Sequence, residues 1–290
     1  MNHLTRILRT IYILLVLSAA APAVQSACFT QDQVAAFVSD WSDLRPLKGL
    51  DTRMSPEDGI CSQRRFVAGL SKTLGKTVGY KAGLTSLAVQ QRFDYSQPIR
   101  GVLLEKMLLA DGAEIPAKFG ARPMFEADLV VEVKDEGIND AKTPREVLRH
   151  VSRIYPFIEL PDLVVAEGEP LSGSVLVAIN AGARLGVLGR SIPAEPSANL
   201  VNALAQMSVI TSDQDGKVLA QGRGAAVLGH PLYAVVWLAA DLAKSGERLR
   251  TGDLLSLGSF SPLLQPKPGT IVKVRYEGLP GNPGASIRFR

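Results

Sequence analysis

Most of the motifs that announce a chemistry are missing from this chain. It has no nucleophile elbow, no phosphate-binding loop and no dinucleotide fingerprint, so serine-hydrolase, P-loop and Rossmann readings have no foothold. No segment repeats and none is of low complexity, which sets solenoids and fibrous arrays aside. Cysteine is scarce, with only Cys28 and Cys61, so at most one internal disulfide can form. The formal net charge is only +4, and no basic surface asks for a nucleic-acid partner. The main apolar stretch, Ile11 to Ala21, falls short of the roughly 20 residues that cross a bilayer.

What is present begins with a leader. Arg6 and Arg9 precede that apolar stretch, and the small-residue region Ala21-Pro22-Ala23-Val24-Gln25-Ser26-Ala27 follows it. Positive, apolar and small segments in this order make a secretory signal peptide over residues 1–27 and imply a periplasmic or secreted protein, with no stable membrane span after cleavage. An uncleaved anchor is the alternative, although nothing downstream resembles a second span. Removing the leader takes away two arginines and no acid, leaving a charge of +2. In an oxidising compartment Cys28 and Cys61 would pair. The rival reading is a lipid anchor on Cys28, against which stands Gln25, polar where such leaders carry an aliphatic residue.

The rest divides by pattern. Residues 28–76 read as an N-terminal helical cap, with Val34, Phe37 and Val38 at helical spacing and a second helix over 62–74. From Thr77 onward, short apolar runs follow at 78–84, 101–109, 124–133, 156–165, 174–188, 207–212, 217–221, 253–259, 270–276 and 285–289. So many short strands, punctuated by Gly, Pro and Asp, predict an α+β domain over 77–290 with a rolled or barrel-like mixed β-sheet rather than alternating βα units. Three helices interrupt it. Thr143-Pro144-Arg145-Glu146 is a capping box with proline in the first turn, leading to Val147, Leu148, Val151 and Ile154 on one face. The others span 197–207 and run from His230-Pro231 to Lys244, with Gly246 as the stop. Asp213-Gln214-Asp215-Gly216 marks a hairpin turn.

Within this frame a few polar residues stand out. In the alternating run Met124 to Val131, Glu126 and Asp128 share one strand face while Phe125, Ala127 and Leu129 take the other. Glu159 lies in the apolar stretch Tyr155 to Leu160, where an ionised carboxylate is costly unless paired or bound to a cation. Three hard oxygen ligands suit Mg²⁺ or Mn²⁺ better than Zn²⁺. The bland alternative is a solvated strand face shared with Glu132. Lys81, in Gly79-Tyr80-Lys81-Ala82-Gly83, is either a snorkelling edge residue or a buried cation facing an anion. Gly222-Arg223-Gly224 opens a glycine-rich turn that could offer amides to an anion, or simply enter a helix. His230 before Pro231 fits a helix-start cap more readily than a base.

Taken in order, these blocks resemble the 2-keto-4-pentenoate hydratase group, which includes 2-oxo-3-hexenedioate decarboxylases, within the fumarylacetoacetate hydrolase superfamily. The resemblance runs from about Gly79 to Phe289. It rests on Gly79 to Ser86, Val89-Gln90-Gln91, Gln97-Pro98 with Gly101, and Pro123 to Asp128. Glu159, Gly222 to Leu232, Val236-Trp237-Leu238-Ala239 and Leu249 to Asp253 complete it. It implies the fold of that superfamily's C-terminal domain, a homo-oligomer, and a hydro-lyase acting on a small 2-hydroxy-dienoate or 2-oxo acid. It places Mg²⁺ or Mn²⁺ on Glu126, Asp128 and Glu159, and makes Lys81 and His230 the catalytic candidates. Lys81, Asn180, Arg223 and Gly224 become substrate contacts. The chain also departs from the group. Ile99 and Ile179 stand where acids are usual, Gly182 replaces a serine, and Asp128 shortens the usual glutamate. An exported binding protein that keeps the metal and oxo-acid pocket with little turnover is therefore the second expectation, and hydrolysis of a carbon–carbon bond a third.

Overall fold

The computed structural model describes residues 28–290, so the leader expected over 1–27 lies outside the described residues. The first helix, α1 (Gln31–Ser42), opens on a capping box in which the Thr30 hydroxyl accepts from Gln33 N and the Gln33 side chain returns to Thr30 N. Helix α2 (Pro56–Leu74) starts six residues earlier than its apolar spacing suggests. Ser55 caps it, Pro56 sits in its first turn, and Glu57 and Asp58 complement the helix dipole there. Cys28 and Cys61 form a disulfide with their Cα atoms 5.6 Å apart, which pins the start of the described chain to α2. The Cys28 sulfur is thereby committed, and the lipid-anchor expectation falls.

The elements that follow are β1 (Thr77–Gly83), α3 (Leu87–Arg92), β2 (Ile99–Leu104), β3 (Leu108–Ala110), β4 (Ala113–Ile115), β5 (Glu126–Val133), α4 (Pro144–Arg149), β6 (Val151–Leu160), α5 (Gly173–Ala178), β7 (Leu185–Leu188) and β8 (Ile192–Pro193). After them come α6 (Ala198–Gln206), β9 (Ser208–Ser212), β10 (Val218–Arg223), α7 (Tyr233–Lys244), β11 (Leu254–Ser256), β12 (Ile271–Glu277) and β13 (Gly284–Phe289). They build two sheets. One runs β2-β1-β11-β5-β6-β7-β3 with β8 also on β6, mixing parallel and antiparallel pairs; the other runs β10-β9-β12-β13-β4. This is the rolled, mixed α+β arrangement expected.

Two local expectations fail for physical reasons. The helix from Thr143 stops at Arg149, and Val151 and Ile154 belong to β6, opposite Val133 and Val131 of β5. Strand pairing outcompetes a helical period that runs only one turn further, and β-branched side chains favour it. The apolar run at 174–188 is a short helix, a turn and then β7, not one strand. Every residue of α5 is buried, and a helix buried on all sides shows no period to distinguish it from a core strand.

The apolar interior falls into two clusters. The larger fills the space between the sheets and α7, around Leu129, Val131, Ile158 and Leu238. The second joins α1 and α2 to β2 and α5 through Phe37, Trp41, Phe66, Leu70, Leu104 and Val175. Among the described residues, no helix is long and apolar enough to cross a membrane.

Candidate active site

The four central strands of the larger sheet turn their polar side chains to one side. In the antiparallel pair β5/β6, Glu126 lies directly opposite Glu159, so both point the same way, as does Asp128 two residues along. On β1, Lys81 is in register with Ser256 of β11, and Ser256 in turn with Val130 of β5. The strand order thus gathers Lys81, Ser256, Asp128, Glu126 and Glu159 on one surface. Lys81, Asp128, Glu159 and Ser256 are buried and Glu126 is partly so.

Lys81 pairs with the Glu159 carboxylate through Oε1, and its Nζ donates to the Ala181 carbonyl at 3.2 Å. Burial alone would pull the lysine down, but Glu159, Glu126 and Asp128 hold it above its usual range, so it is a cation at neutral pH. The acids are perturbed in the complementary sense. Burial, with Glu159 as the next cause, pushes Asp128 up to about 7. Burial and Glu159 also push Glu126 well above the ordinary carboxylate range, against the pull of Lys81 and a hydrogen bond from Ser259.

Asp128 has the densest set of partners. Its Oδ1 accepts from the backbone of Leu129, Leu257 and Gly258 at 2.5, 3.1 and 3.0 Å, and its Oδ2 from Ser256 Oγ at 2.5 Å. Glu159 is the opposite case, because its Oε2 is buried with no hydrogen-bond partner. An orphaned carboxylate oxygen facing a second acid that resists ionisation suits a hard divalent cation. Glu126 and Glu159 therefore fit a metal. Asp128 lends charge beside them, with its lone pairs largely engaged by protein donors. Among the described residues, no three acid, histidine or cysteine side chains gather closely enough to cage an ion, so the expected convergence of all three carboxylates on one point is not seen.

The remaining expected site residues have other work. His230 uses Nε2 on the Val201 carbonyl at 2.9 Å and Nδ1 as acceptor for Leu232 N at 3.1 Å. Burial lowers its pKa, which makes it a neutral imidazole with both ring nitrogens taken, two residues ahead of Leu232, the N-cap of α7, where no side chain caps the helix. Asn180 gives its whole amide to Val102, accepting from N at 2.7 Å and donating to O at 2.9 Å. Gly224 is there for packing, since a Cβ would sit 1.8 Å from the Leu204 carbonyl oxygen. Arg223 is exposed at the end of β10. Ile99 and Ile179 are buried in the second apolar cluster, and Ile99 leans over Gly83, on the same face of β1 as Lys81. Ser256 and the Ala181 carbonyl were missed. The only trace of Ser256 in the sequence is a hydroxyl within the apolar run Leu254 to Leu257.

No family model matches the chain. It is 32% identical over 241 residues to the 2-keto-4-pentenoate hydratase of Paraburkholderia xenovorans, covering 81% of this chain and 86% of that protein. The TodF product hydratase of Pseudomonas putida is 32% identical over 220 residues, 76% and 78% of the two chains. The 4-oxalocrotonate decarboxylase of Pseudomonas putida is 30% identical over 204 residues, 70% and 75%. Among solved structures, a 4-oxalocrotonate decarboxylase from Pseudomonas putida G7 in complex with magnesium and adipate aligns with a TM-score of 0.75 at 26% identity, over 90% of this chain and 99% of that one. A fumarylpyruvate hydrolase from Pseudomonas aeruginosa, with a TM-score of 0.52 and 14% identity over 72% of this chain and 88% of that one, shares the fold alone. These relatives overturn the periplasmic or secreted location, because they are cytoplasmic enzymes of aromatic degradation. The leader on which that expectation rested lies outside the described residues.

Proposed function

The chain belongs to the 2-keto-4-pentenoate hydratase group of the fumarylacetoacetate hydrolase superfamily, and we propose that it is a divalent-metal-dependent hydro-lyase acting on a short 2-hydroxy-dienoate or 2-oxo acid. One observation carries the reading: a buried, charged lysine beside two facing glutamates, one of which has an unpartnered oxygen. That arrangement offers an anionic substrate a cation and a metal seat together. Glu126 and Glu159 would hold Mg²⁺ or Mn²⁺, with Asp128 adding negative charge alongside. When bound, such an ion acts as a Lewis acid on the substrate's carboxylate and adjacent oxygen. A 4-oxalocrotonate decarboxylase has been solved in complex with magnesium and adipate, and with calcium and acetate, which supports a site that takes a divalent ion and a carboxylate.

The protein's own groups do the rest. Lys81 stays protonated among the acids and so serves as an electrostatic clamp for the substrate carboxylate rather than as a base. Ile99 and Ala181 supply apolar surface near it, suited to the hydrocarbon end of the substrate and to keeping bulk water out. Because Ile99 and Ile179 carry no proton and His230 is engaged on both sides, water held by the acids is left to carry protons. The group resemblance also leads us to expect a homo-oligomer, which sedimentation velocity would measure.

The same lack of a dedicated acid or base favours a second reading, a binding protein with a working pocket and little turnover. Steady-state consumption of 2-hydroxypenta-2,4-dienoate with Mg²⁺ or Mn²⁺ separates the two. The hydro-lyase reading expects metal-dependent turnover that is lost in Lys81→Ala. Metal-dependent binding without turnover would establish the binder, and absence of both would sink the assignment.

A further inference from the structure

Residues 180–182 carry a backbone that the chemistry described so far does not use. Asn180, Ala181 and Gly182 take φ values of +60°, +52° and +67° in succession. Two of the three are not glycine, and L residues avoid this region because Cβ crowds the following carbonyl. Such a run persists only where its surroundings over-determine it, and observed strain of this kind points to a functional constraint. Here the constraint is visible at both ends. The Asn180 amide pairs with both backbone groups of Val102, on the free edge of β2, the outermost strand of its sheet. The Gly182 carbonyl accepts from Asp162 N at 2.9 Å, and Asp162 is itself locked to Arg184.

The turn held this way aims one group. The Ala181 carbonyl meets the Lys81 ammonium at 3.2 Å, which also pairs with the Glu159 carboxylate. Approach this close requires Gly101, because a Cβ there would come within 2.7 Å of Lys81 Cγ and 2.8 Å of the Asn180 carbonyl oxygen. The lysine stem therefore runs in a slot between β2 and the turn. Of its three ammonium protons, two are directed by Ala181 and Glu159, which orients the third.

We propose that the left-handed turn Asn180–Gly182 is the device that orients Lys81 toward the substrate's carboxylate, and that Asn180, by anchoring the turn to Val102, is a positioning residue rather than a substrate contact. This rests on the reading of Lys81 as the carboxylate clamp. Because the clamp acts on charge, loss of the anchor should weaken an anionic ligand and spare a neutral one.

The test is calorimetry on the Mn²⁺-loaded protein with 2-oxopentanoate and with its methyl ester. Asn180→Gly keeps the left-handed conformation and removes only the anchor, so it is preferred over Asn180→Ala, which risks misfolding. Asn180→Gly should bind Mn²⁺ as the unaltered protein does, bind 2-oxopentanoate about tenfold more weakly, and bind the ester unchanged; the tenfold loss is that of one weakened charge-assisted hydrogen bond. Unchanged affinity for 2-oxopentanoate would overturn the proposal, and so would equal losses for Mn²⁺, acid and ester, which would mark Asn180 as a merely structural residue. Lys81→Ala run in parallel keeps the two ideas apart: if it leaves 2-oxopentanoate binding intact, the clamp reading itself has failed, independently of Asn180.

Discussion

At the residue scale, Asp128 shows how burial and hydrogen bonding oppose each other. Four donors stabilise its ionised form, yet burial and the neighbouring Glu159 raise it from 3.8 to about 7. The folded state then keeps a proton between these values that the unfolded chain releases, so the unfolded state binds fewer protons and stability falls as pH rises from about 4 to about 7. In protein treated with a chelator, thermal melts across this window should show a loss of at least roughly 1 kcal/mol per pH unit, because Glu126 is raised in the same direction. A flat profile would mean that Asp128 and Glu126 both stay ionised throughout. Added Mn²⁺ should flatten the same profile, since a cation favours the ionised acids. Ile99 offers a contrasting test. Ile99→Asp puts a carboxylate near Lys81, and should raise turnover about 100-fold if general acid–base help is what the site lacks, while lowering the melting temperature because the position is buried. Unchanged kinetics in a folded Ile99→Asp would show that the missing acid does not limit the reaction. Glu126, Asp128, Glu159 and Lys81 were legible beforehand, because alternation assigns a face and a charge in an apolar run demands a partner. Ser256 and the Ala181 carbonyl were not, because a lone hydroxyl or a backbone oxygen carries no pattern.

At the element scale, the starts at Thr143 and Ser197 were readable in the sequence, whereas the equally local caps at Ser55 and Ser172 went unread. Ser197, Thr143 and Ser55 each accept from the backbone three residues on, and Ser55→Ala should lower stability by about 1 kcal/mol. The disulfide closes a 33-residue separation onto α2. Cys61→Ser should cost roughly 2–4 kcal/mol by the entropy of the freed chain, a loss that denaturant melts of oxidised protein would detect. If the variant melts with the unaltered protein, the cross-link does not contribute to the cap's stability. Boundaries failed where the competing signal came from far away. No local feature tells Val151 to leave α4 for β6, since its partner Val133 lies on another strand. Likewise α5 reads as a strand until Ser172 is recognised as its cap and α2 as the wall it packs on.

For the molecule as a whole, metal and stability should be linked. A ligand that binds only the folded state stabilises by about 3 kcal/mol at 100 times its dissociation constant. Saturating Mn²⁺ should therefore raise the melting temperature measurably, and Glu126→Gln with Glu159→Gln should abolish that rise. An unaltered rise in the double variant would move the metal away from these glutamates. What the sequence determined by itself was local: the α+β character, the helical content of the segment before Thr77, the shared face of Glu126 and Asp128, and the need of Glu159 for a partner. Each follows from residue spacing and capping chemistry, which act over a few positions. Tertiary structure alone decided which partner each polar group obtained. Lys81 meets the Ala181 carbonyl across 100 residues, and Ser256 meets Asp128 across 128. Those pairings depend on the strand order β1-β11-β5-β6, and strand order is set by packing the whole core, not by any single segment.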